Sequence, residues 1–320
     1  MVFDLSFFTT LIGTTVFLSA PIVLACLGVQ WSELSGVFIF GIEGEMLLGA
    51  VAGFLTTLAT RSLPLGVVVG LATGVGVGLL SGFFEVTLGA DQIIFAIALL
   101  VIGPSLSSYL YGAYVGGREL STFSTSIPTF SPAPIPFLSN VPLIGPVFDQ
   151  PVLVYVVYAL VVLTHYFFYH TNLGLKVRSV GMNPMAADSM GTNVQLVRYV
   201  VLVVAGMFAA LGGMLMVMGG TGFWSDNVTA GRGLIAIALV RVGNWRTQLT
   251  LGAALVVGVL LAAVADLQGI FSGGGTVTTT FPYEVFSTLP YLFAIAVIGI
   301  SYRWTRSNQP ASIGRPYLRG

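Results

Sequence analysis

The sequence predicts an all-α, polytopic helical membrane protein, and three observations lead to that prediction. Of the 320 residues, 56% are hydrophobic and only 8% are charged, and the mean hydropathy is +0.95. A soluble domain carries roughly 25% charged residues, so this chain lacks the charge that a water-facing surface needs. The apolar residues form continuous runs without strict alternation, which excludes a transmembrane barrel. The same composition excludes a soluble enzyme, a nucleic-acid-binding protein and a disordered chain.

Apolar runs long enough to cross a bilayer, which takes roughly 20 residues, define the membrane segments. They lie near 8–28, 64–84, 92–111, 151–169, 198–218, 249–265 and 286–303. Two more segments, 36–58 and 231–246, are apolar but interrupted by glycine and charge, which predicts broken or re-entrant helices. We therefore expect eight to nine membrane segments in a single transmembrane domain over residues 1–320.

The distribution of basic residues predicts the orientation, because loops on the cytoplasmic side are enriched in Lys and Arg. Nine of the twelve fall in three groups: Lys176, Arg178, Arg198, Arg241, Arg246, Arg303, Arg306, Arg315 and Arg319. Placing these groups inside gives a multi-pass protein of the cell membrane. Its loop 170–197 and its tail 304–320 are then cytoplasmic. The side of the amino terminus stays open, because Asp4 carries no topological weight.

The loop 111–150 is expected to be extracellular and is rich in proline. Its prolines, with the one at its edge, are Pro128, Pro132, Pro134, Pro136, Pro142, Pro146 and Pro151. Such density excludes a long helix and favours stiff, extended backbone. Two interpretations are equally supported: a rigid cap that ties two helices together, and a docking surface for an extracellular partner.

Rare residue types limit the chemistry of the chain. Cys26 is the single cysteine, so no internal disulfide forms, and the two histidines, His165 and His170, are typical of an interfacial aromatic belt rather than a metal site. Lys176 is the only lysine, and no glycine-rich phosphate loop precedes it. Hydrolysis of ATP by a P-loop on this chain is therefore excluded. The first residues lack the basic region of a cleaved signal peptide, so none is expected.

Five glycines recur at intervals of four in the second predicted span. They are Gly66, Gly70, Gly74, Gly78 and Gly82. This spacing lines one helix face with residues that lack Cβ, so the backbone of a neighbouring helix can approach closely. Positions four apart drift by about 40° on a helix with 3.6 residues per turn, so the neighbour should cross at an angle. Close packing is the favoured interpretation; a sliding surface for alternating access is the other.

The two interrupted segments place polar groups among apolar ones, where burial is costly. Glu43 and Glu45 lie in the first segment and, being two residues apart, project from different helix faces. In the second segment, Arg232 lies near a helix amino terminus, which is unfavourable for a cation, so a carboxylate partner is expected. Asp226 is the nearest in sequence. Together the segments predict an internal pseudo-repeat around a central pathway.

The inner loop 170–197 contains the signals of a short, ordered helix. Asn183 can cap it, Pro184 suits its first turn, Ala186 and Ala187 follow, and Gly191 can end it. A membrane topology alone does not require such an element. An ordered helix on the basic side of the chain therefore predicts docking to a cytoplasmic protein.

The same loop, GLKVRSVGMNPMAADSMG at 174–191, resembles the coupling loop of ABC-importer permeases. The group it resembles carries ribose, branched-chain amino acids and nucleosides. Further matching stretches are GIEGEMLLGA at 41–50, ADQIIFAIALLVIGPSLSSYL at 90–110, IPFLSNVPLIGPVFDQPVLVY at 135–155 and TAGRGLIAIALV at 229–240. NVPLIGPVFDQ and TAGRG resemble most the nucleoside branch, which is often labelled simple-sugar permeases. Ser179, Met182 and Phe40 depart from residues that many members carry.

The resemblance implies a non-enzymatic permease that forms a pathway with a second, homologous permease. The implied partners are ABC ATPase subunits, which carry ATP and Mg, and an extracellular substrate-binding lipoprotein; membrane lipid surrounds the chain. No cofactor, metal or nucleic acid is expected on this chain. Gly181, Asn183, Pro184, Ala186, Ala187 and Gly191 are then the ATPase-coupling residues.

Nucleosides are the favoured substrate, because they need hydrogen-bonding groups beside aromatic rings. The candidate pathway residues are Glu43, Glu45, Gln92 and Trp224. An ABC permease for simple sugars or branched-chain amino acids is the first alternative. A secondary transporter is less favoured, because it would carry buried ionisable relays and need no ATPase-docking loop. A scaffold or receptor is least favoured.

Overall fold

The computed structural model describes residues 5–116, 125–272 and 308–317, together with Thr288 and Leu292. Within these ranges it is all-helical, with one isolated β-bridge between Pro132 and Pro151. The helices are α1 Leu5–Leu34, α2 Ile42–Thr60, α3 Leu63–Gly82, α4 Gln92–Val115, α5 Val152–His170, α6 Asn172–Met182, α7 Pro184–Ser189, α8 Val194–Met216, α9 Arg232–Val242 and α10 Thr247–Ser272. Short π-helical turns extend α3 over Phe83–Thr87 and α8 over Val217–Thr221.

Seven of the described helices are long and apolar enough to cross a membrane. They are α1, α2, α3, α4, α5, α8 and α10. Six correspond to predicted spans, and the interrupted segment 36–58 contains the continuous helix α2 after a non-helical stretch at 37–40. The last predicted span, 286–303, lies outside the described residues apart from Thr288 and Leu292. The total of eight to nine segments therefore stays a prediction.

Contacts between loops and helix ends define two ends of the bundle. At one end, the Gln150 side chain donates to the Gly13 carbonyl at 3.2 Å, and Arg61, after α2, donates to the Ser126 carbonyl at 2.6 Å. We call this the proline-loop end; between 125 and 151 its longest helix is the 3₁₀ turn Gly145–Phe148. The opposite end carries α6 and α7 and is called the α7 end.

The core lies where α8 packs against α1, α2 and α3, and α10 covers α1 from outside this core. α4, α5 and α10 lie at the periphery, and α4 and α5 expose large apolar side chains such as Ile94, Val101 and Val162. Such a surface is stable only in lipid or against another apolar surface. The fold therefore agrees with the membrane class that the composition predicts.

The glycine series of α3 lies where α3 crosses two other helices. A Cβ on Gly66 would overlap Thr57 of α2, whereas one on Gly74 would lie 2.5 Å from the Gly206 carbonyl oxygen of α8. A Cβ on Gly78 would lie 2.6 Å from the Leu202 carbonyl oxygen. The series thus begins against α2 and continues against α8, as expected from the angular drift of a four-residue repeat.

Candidate translocation and coupling sites

Glu43, on the first turn of α2, caps the amino terminus of α9. Its carboxylate accepts hydrogen bonds from the backbone N–H groups of Gly231 and Gly233, each at 2.7 Å, and from the hydroxyl of Thr229. The side chain is only 3% exposed. A helix amino terminus presents unpaired N–H groups and a partial positive charge, so a buried carboxylate is stable there. Glu43 is therefore fully engaged by the TAGRG segment.

The chain from 222 to 246 connects the two ends of the bundle as a non-helical stretch followed by α9. At the proline-loop end, the Ile127 N–H donates to the Gly222 carbonyl at 2.9 Å. The following residues are non-helical until α9 begins beside Glu43, and Gly231 takes a positive φ of 78°. α9 has 11 residues, a length of about 16 Å, which is too short to cross a membrane. That this segment is a broken or re-entrant membrane helix stays a prediction.

The expected pairing of Arg232 with Asp226 is not among the ion pairs of the described residues. The Asp226 carboxylate accepts a hydrogen bond from the Ser108 hydroxyl at 2.9 Å, and the Arg232 guanidinium donates to the Met216 sulfur at 3.2 Å. The carboxylate that offsets the positive amino terminus of α9 is Glu43, which is 189 positions away from Arg232.

Glu45 and Gln92 are buried, and each has a polar atom without a partner among the described residues. The Gln92 amide oxygen accepts from the Phe38 N–H at 2.8 Å, which ties α4 to the stretch before α2. Its amide nitrogen and one carboxylate oxygen of Glu45 are the two atoms concerned. Buried polar atoms are usually paired, so these two mark positions where a polar ligand or water would be favourable.

Trp224 belongs to an aromatic cluster on the half of α2 nearest the proline-loop end. Its ring stacks on Tyr111 with centroids 5.9 Å apart and an interplanar angle of 25°, and it lies 5.9 Å from the ring of Phe54. The indole N–H is buried and donates to no described group. Phe54 is 11 residues beyond Glu43, or about 16 Å along the helix axis. The four candidate residues thus do not form one site but lie along α2.

The sequence did not predict the burial of three charged residues. Glu33 is fully buried on α1, where its carboxylate accepts from the indole N–H of Trp245 at 2.6 Å and lies 3.8 Å from the Arg241 guanidinium. Glu85 and Arg198 are 3% and 1% exposed. Each lies at the end of a long apolar run in the sequence. A charged residue at such a position indicates a membrane boundary, so its burial could not be predicted. Within the described ranges, no group of three His, Cys, Asp or Glu residues could hold a metal ion.

The inner loop forms the short helix α7 with the cap that its residues indicate. The Asn183 side chain accepts from the Ala186 N–H at 3.1 Å, Pro184 occupies the first turn, and Gly191 follows with φ of 80°. Gly181, before the helix, packs so closely on the chain after α1 that a Cβ would overlap the Leu34 carbonyl. The loop is therefore fixed against the transmembrane bundle.

Ala187 faces this chain, so of the two alanines in the expected coupling set only Ala186 lies on the surface of the loop. It is 6% exposed and packs against Val180 and Val194 of this chain. The outward surface of the loop contains Ala186 with three exposed methionines, Met182, Met185 and Met190. Helical periodicity separates neighbours by about 100°, so adjacent alanines cannot share one face. A surface test must therefore use Ala186.

Comparison with known proteins now assigns the family. Residues 11–298 match the family described as "Branched-chain amino acid transport system / permease component". TsgC13 of Haloferax volcanii, provisionally named a glucose ABC transporter permease protein, is 32% identical, with 98% of this chain and 99% of that protein covered. The guanosine ABC transporter permease protein NupQ of Bacillus subtilis is 27% identical, with 97% of each covered.

The nucleoside ABC transporter permease protein NupC of Lactococcus lactis is similar as well. It is 28% identical, with 88% of this chain and 89% of that protein covered. The family match over residues 11–298 includes the TAGRG segment and the α7 loop. The chain therefore belongs to the branched-chain amino acid transport system permease family and is an ABC transporter permease.

Proposed function

We propose that this chain is a pathway-forming permease subunit of an ATP-dependent importer of nucleosides. The observation that carries the substrate assignment is the alignment of nearly the whole chain with relatives named for guanosine or nucleosides. Simple sugars are the second candidate, because the 32% identical relative bears a provisional name for glucose. The residue pattern of the pathway favours the first.

The polar and aromatic groups along α2 suit a nucleoside. The Trp224 ring, backed by Tyr111, offers a stacking surface and an indole N–H that is unpaired among the described residues. Stacking of a base on an aromatic side chain contributes about 1–3 kcal/mol. The unpaired atoms of Glu45 and Gln92 offer an acceptor and a donor for ribose hydroxyls or base edges. Glucose could use the hydrogen bonds but has no aromatic face to stack.

Uptake by the reconstituted importer tests the substrate. Proteoliposomes holding the complete complex should accumulate labelled guanosine, and excess unlabelled nucleoside should compete whereas glucose should not. Trp224→Leu should lower guanosine uptake several-fold. Effective competition by glucose, with none by nucleosides, would transfer the assignment to sugars.

The complete importer contains a second homologous permease, two ATPase subunits on the cytoplasmic side and an extracellular substrate-binding lipoprotein. ATP and Mg bind to the ATPase subunits. Closure of the ATPases on ATP moves α7, and α7 carries the motion to α1 and α8. The exposed methionines around α7 suit such a moving interface, because methionine is flexible and adapts to changing surfaces.

A substitution on the exposed face of α7 should uncouple transport. Ala186→Arg adds a long cation where an ATPase groove closes, so we expect uptake to fall at least about tenfold. Folding should be unaffected, since exposed substitutions usually change stability by less than about 0.5 kcal/mol. Ala113→Arg, at an exposed position near the far end of α4, is the matched control. Wild-type uptake by the Ala186→Arg complex would end the coupling assignment.

The isolated chain should hydrolyse no ATP. Lys176 is its only lysine and lies on α6, with no phosphate-binding glycine loop before it. Phosphate release from the purified chain, measured against a detergent blank, should be at background, and activity should appear only when the ATPase subunits are added. Hydrolysis by the chain alone would contradict the assignment of the ATPase activity to separate subunits.

A further inference from the structure

The carboxy-terminal segment 308–317 crosses the α7 end of the bundle and contacts helices that are far apart in sequence. At its start, the Asn308 N–H donates to the Asn244 side-chain oxygen at 2.7 Å, in the turn between α9 and α10. At its other end, the Tyr317 hydroxyl donates to the Asp188 carboxylate of α7 at 3.1 Å. The segment thus connects the α9–α10 turn with α7.

Ser312 fixes the middle of this segment at a junction with two glycines, Gly181 and Gly36. Its N–H and its hydroxyl both donate to the Gly181 carbonyl, at 3.0 and 2.7 Å. Gly36, with φ of 86°, lies so close that a Cβ would overlap the Ser312 hydroxyl. Three chain segments, the turn after α1, the end of α6 and the carboxy-terminal segment, therefore meet backbone to backbone.

The segment also accepts a hydrogen bond from a buried cation on α8. Arg198 is 1% exposed, and one of its terminal nitrogens donates to the Arg315 carbonyl at 3.3 Å. Its other guanidinium nitrogens have no hydrogen-bond partner in the described part of the chain. An unsatisfied buried charge is strongly unfavourable, so removal of this carbonyl would destabilise the present position of Arg198.

α7 is a short element with a small contact surface on the described helices. It has six residues, fewer than an isolated helix needs to be stable, and packs mainly on α6 and α8. The glycine that follows it, Gly191, has open space where a Cβ would be. The Tyr317 ring packs against the cluster of Val180, Ala187 and Val194, which closes the side of α7 that faces this chain.

We propose that residues 308–317 act as a positioning strap, which holds α7 in a fixed relation to α1, α8 and the α9–α10 turn. Force applied to α7 then moves these helices together instead of bending the loop. The inference rests on the proposed coupling function of α7 and adds the element that makes α7 rigid. Tyr317, Ser312 and Arg198 are its positioning residues.

Removal of the strap tests the inference within the assembled complex. A chain ending at Ser307 should still assemble and support ATP hydrolysis, but nucleoside uptake per ATP should fall by about 5- to 150-fold, the usual range of coupling between sites. Hydrogen exchange at the amides of 184–190 should accelerate in the same complex. Tyr317→Phe should produce the same two changes to a smaller degree, and Tyr109→Phe, an exposed tyrosine on α4, should produce neither.

Hydrogen exchange separates this inference from the proposed function. Unchanged exchange at 184–190 in both the truncated chain and Tyr317→Phe would overturn the strap, whatever the uptake. Faster exchange with wild-type uptake per ATP would also overturn it, because a looser α7 would then transmit force equally well. If Ala186→Arg leaves uptake unchanged in the full-length chain, the proposed coupling function of α7 is itself wrong. Should the truncated chain not assemble, Tyr317→Phe and Ser312→Ala supply the same readouts.

Discussion

Gly74→Leu should abolish or severely impair assembly and transport, whereas Gly76→Leu on the same helix should be tolerated. A Cβ at position 74 would lie 2.5 Å from the Gly206 carbonyl oxygen and 2.8 Å from the Ala210 Cβ. Neither neighbour can yield, because one is backbone and the other is a methyl group on a packed helix. Overpacking of this kind costs about 1–3 kcal/mol or more, and a leucine adds further atoms in the same direction.

Gly76 is the matched control because it undergoes the same change in helix propensity. It is exposed, and nothing lies within 4 Å of a Cβ built there. Thermal unfolding in detergent and substrate uptake, measured for both variants, separate the steric effect from propensity. Equal stability and uptake for the two would show that α3 does not pack closely on α8.

Removal of the Glu43 carboxylate should have the second large effect. Glu43→Gln keeps the size of the side chain but turns one acceptor into a donor that faces backbone N–H groups. Loss of a buried hydrogen bond with an unsatisfied partner costs about 1–3 kcal/mol, and loss of the anion at the α9 amino terminus adds up to about 2 kcal/mol. We expect the melting temperature to fall by roughly 5 °C and uptake to decrease strongly.

Glu45→Gln is the control for this prediction. Glu45 is buried on the same turn of α2, but one of its carboxylate oxygens has no hydrogen-bond partner in the described part of the chain. Neutral glutamine should therefore be accommodated with little loss of stability. If Glu45 contacts the substrate, its substitution should lower uptake without lowering the melting temperature. A melting temperature for Glu43→Gln equal to that of Glu45→Gln would contradict the capping interaction.

Local rules predicted much of this molecule because they depend on neighbours in sequence. Continuous apolar runs predicted α3, α4, α5, α8 and α10 closely, and α7 follows from a cap at Asn183, a proline in the first turn and a glycine after the end. The four-residue glycine repeat indicated a close helix contact. In each case the physical cause acts over a few residues of one element.

Such local rules could not predict which residues far apart in sequence contact each other. Nothing near Glu43 indicates that its partners are Gly231 and Gly233, and charge proximity favoured Asp226 for Arg232 instead. Ala186 and Ala187 have the same residue type, and only the packing of Val180 and Val194 decides which one is buried. The strap could not be predicted for the same reason, because nothing in the sequence near Ser312 or Gly181 indicates that the fold brings these two residues into contact.

The most direct test of the whole account is the energy source of uptake. Proteoliposomes that contain the complete complex and enclosed ATP should accumulate labelled nucleoside, and a proton ionophore should not reduce the initial rate. Vesicles with a non-hydrolysable ATP analogue should accumulate none. Uptake that proceeds without ATP and collapses on addition of the ionophore would contradict the account, because it would make the chain an ion-coupled secondary transporter.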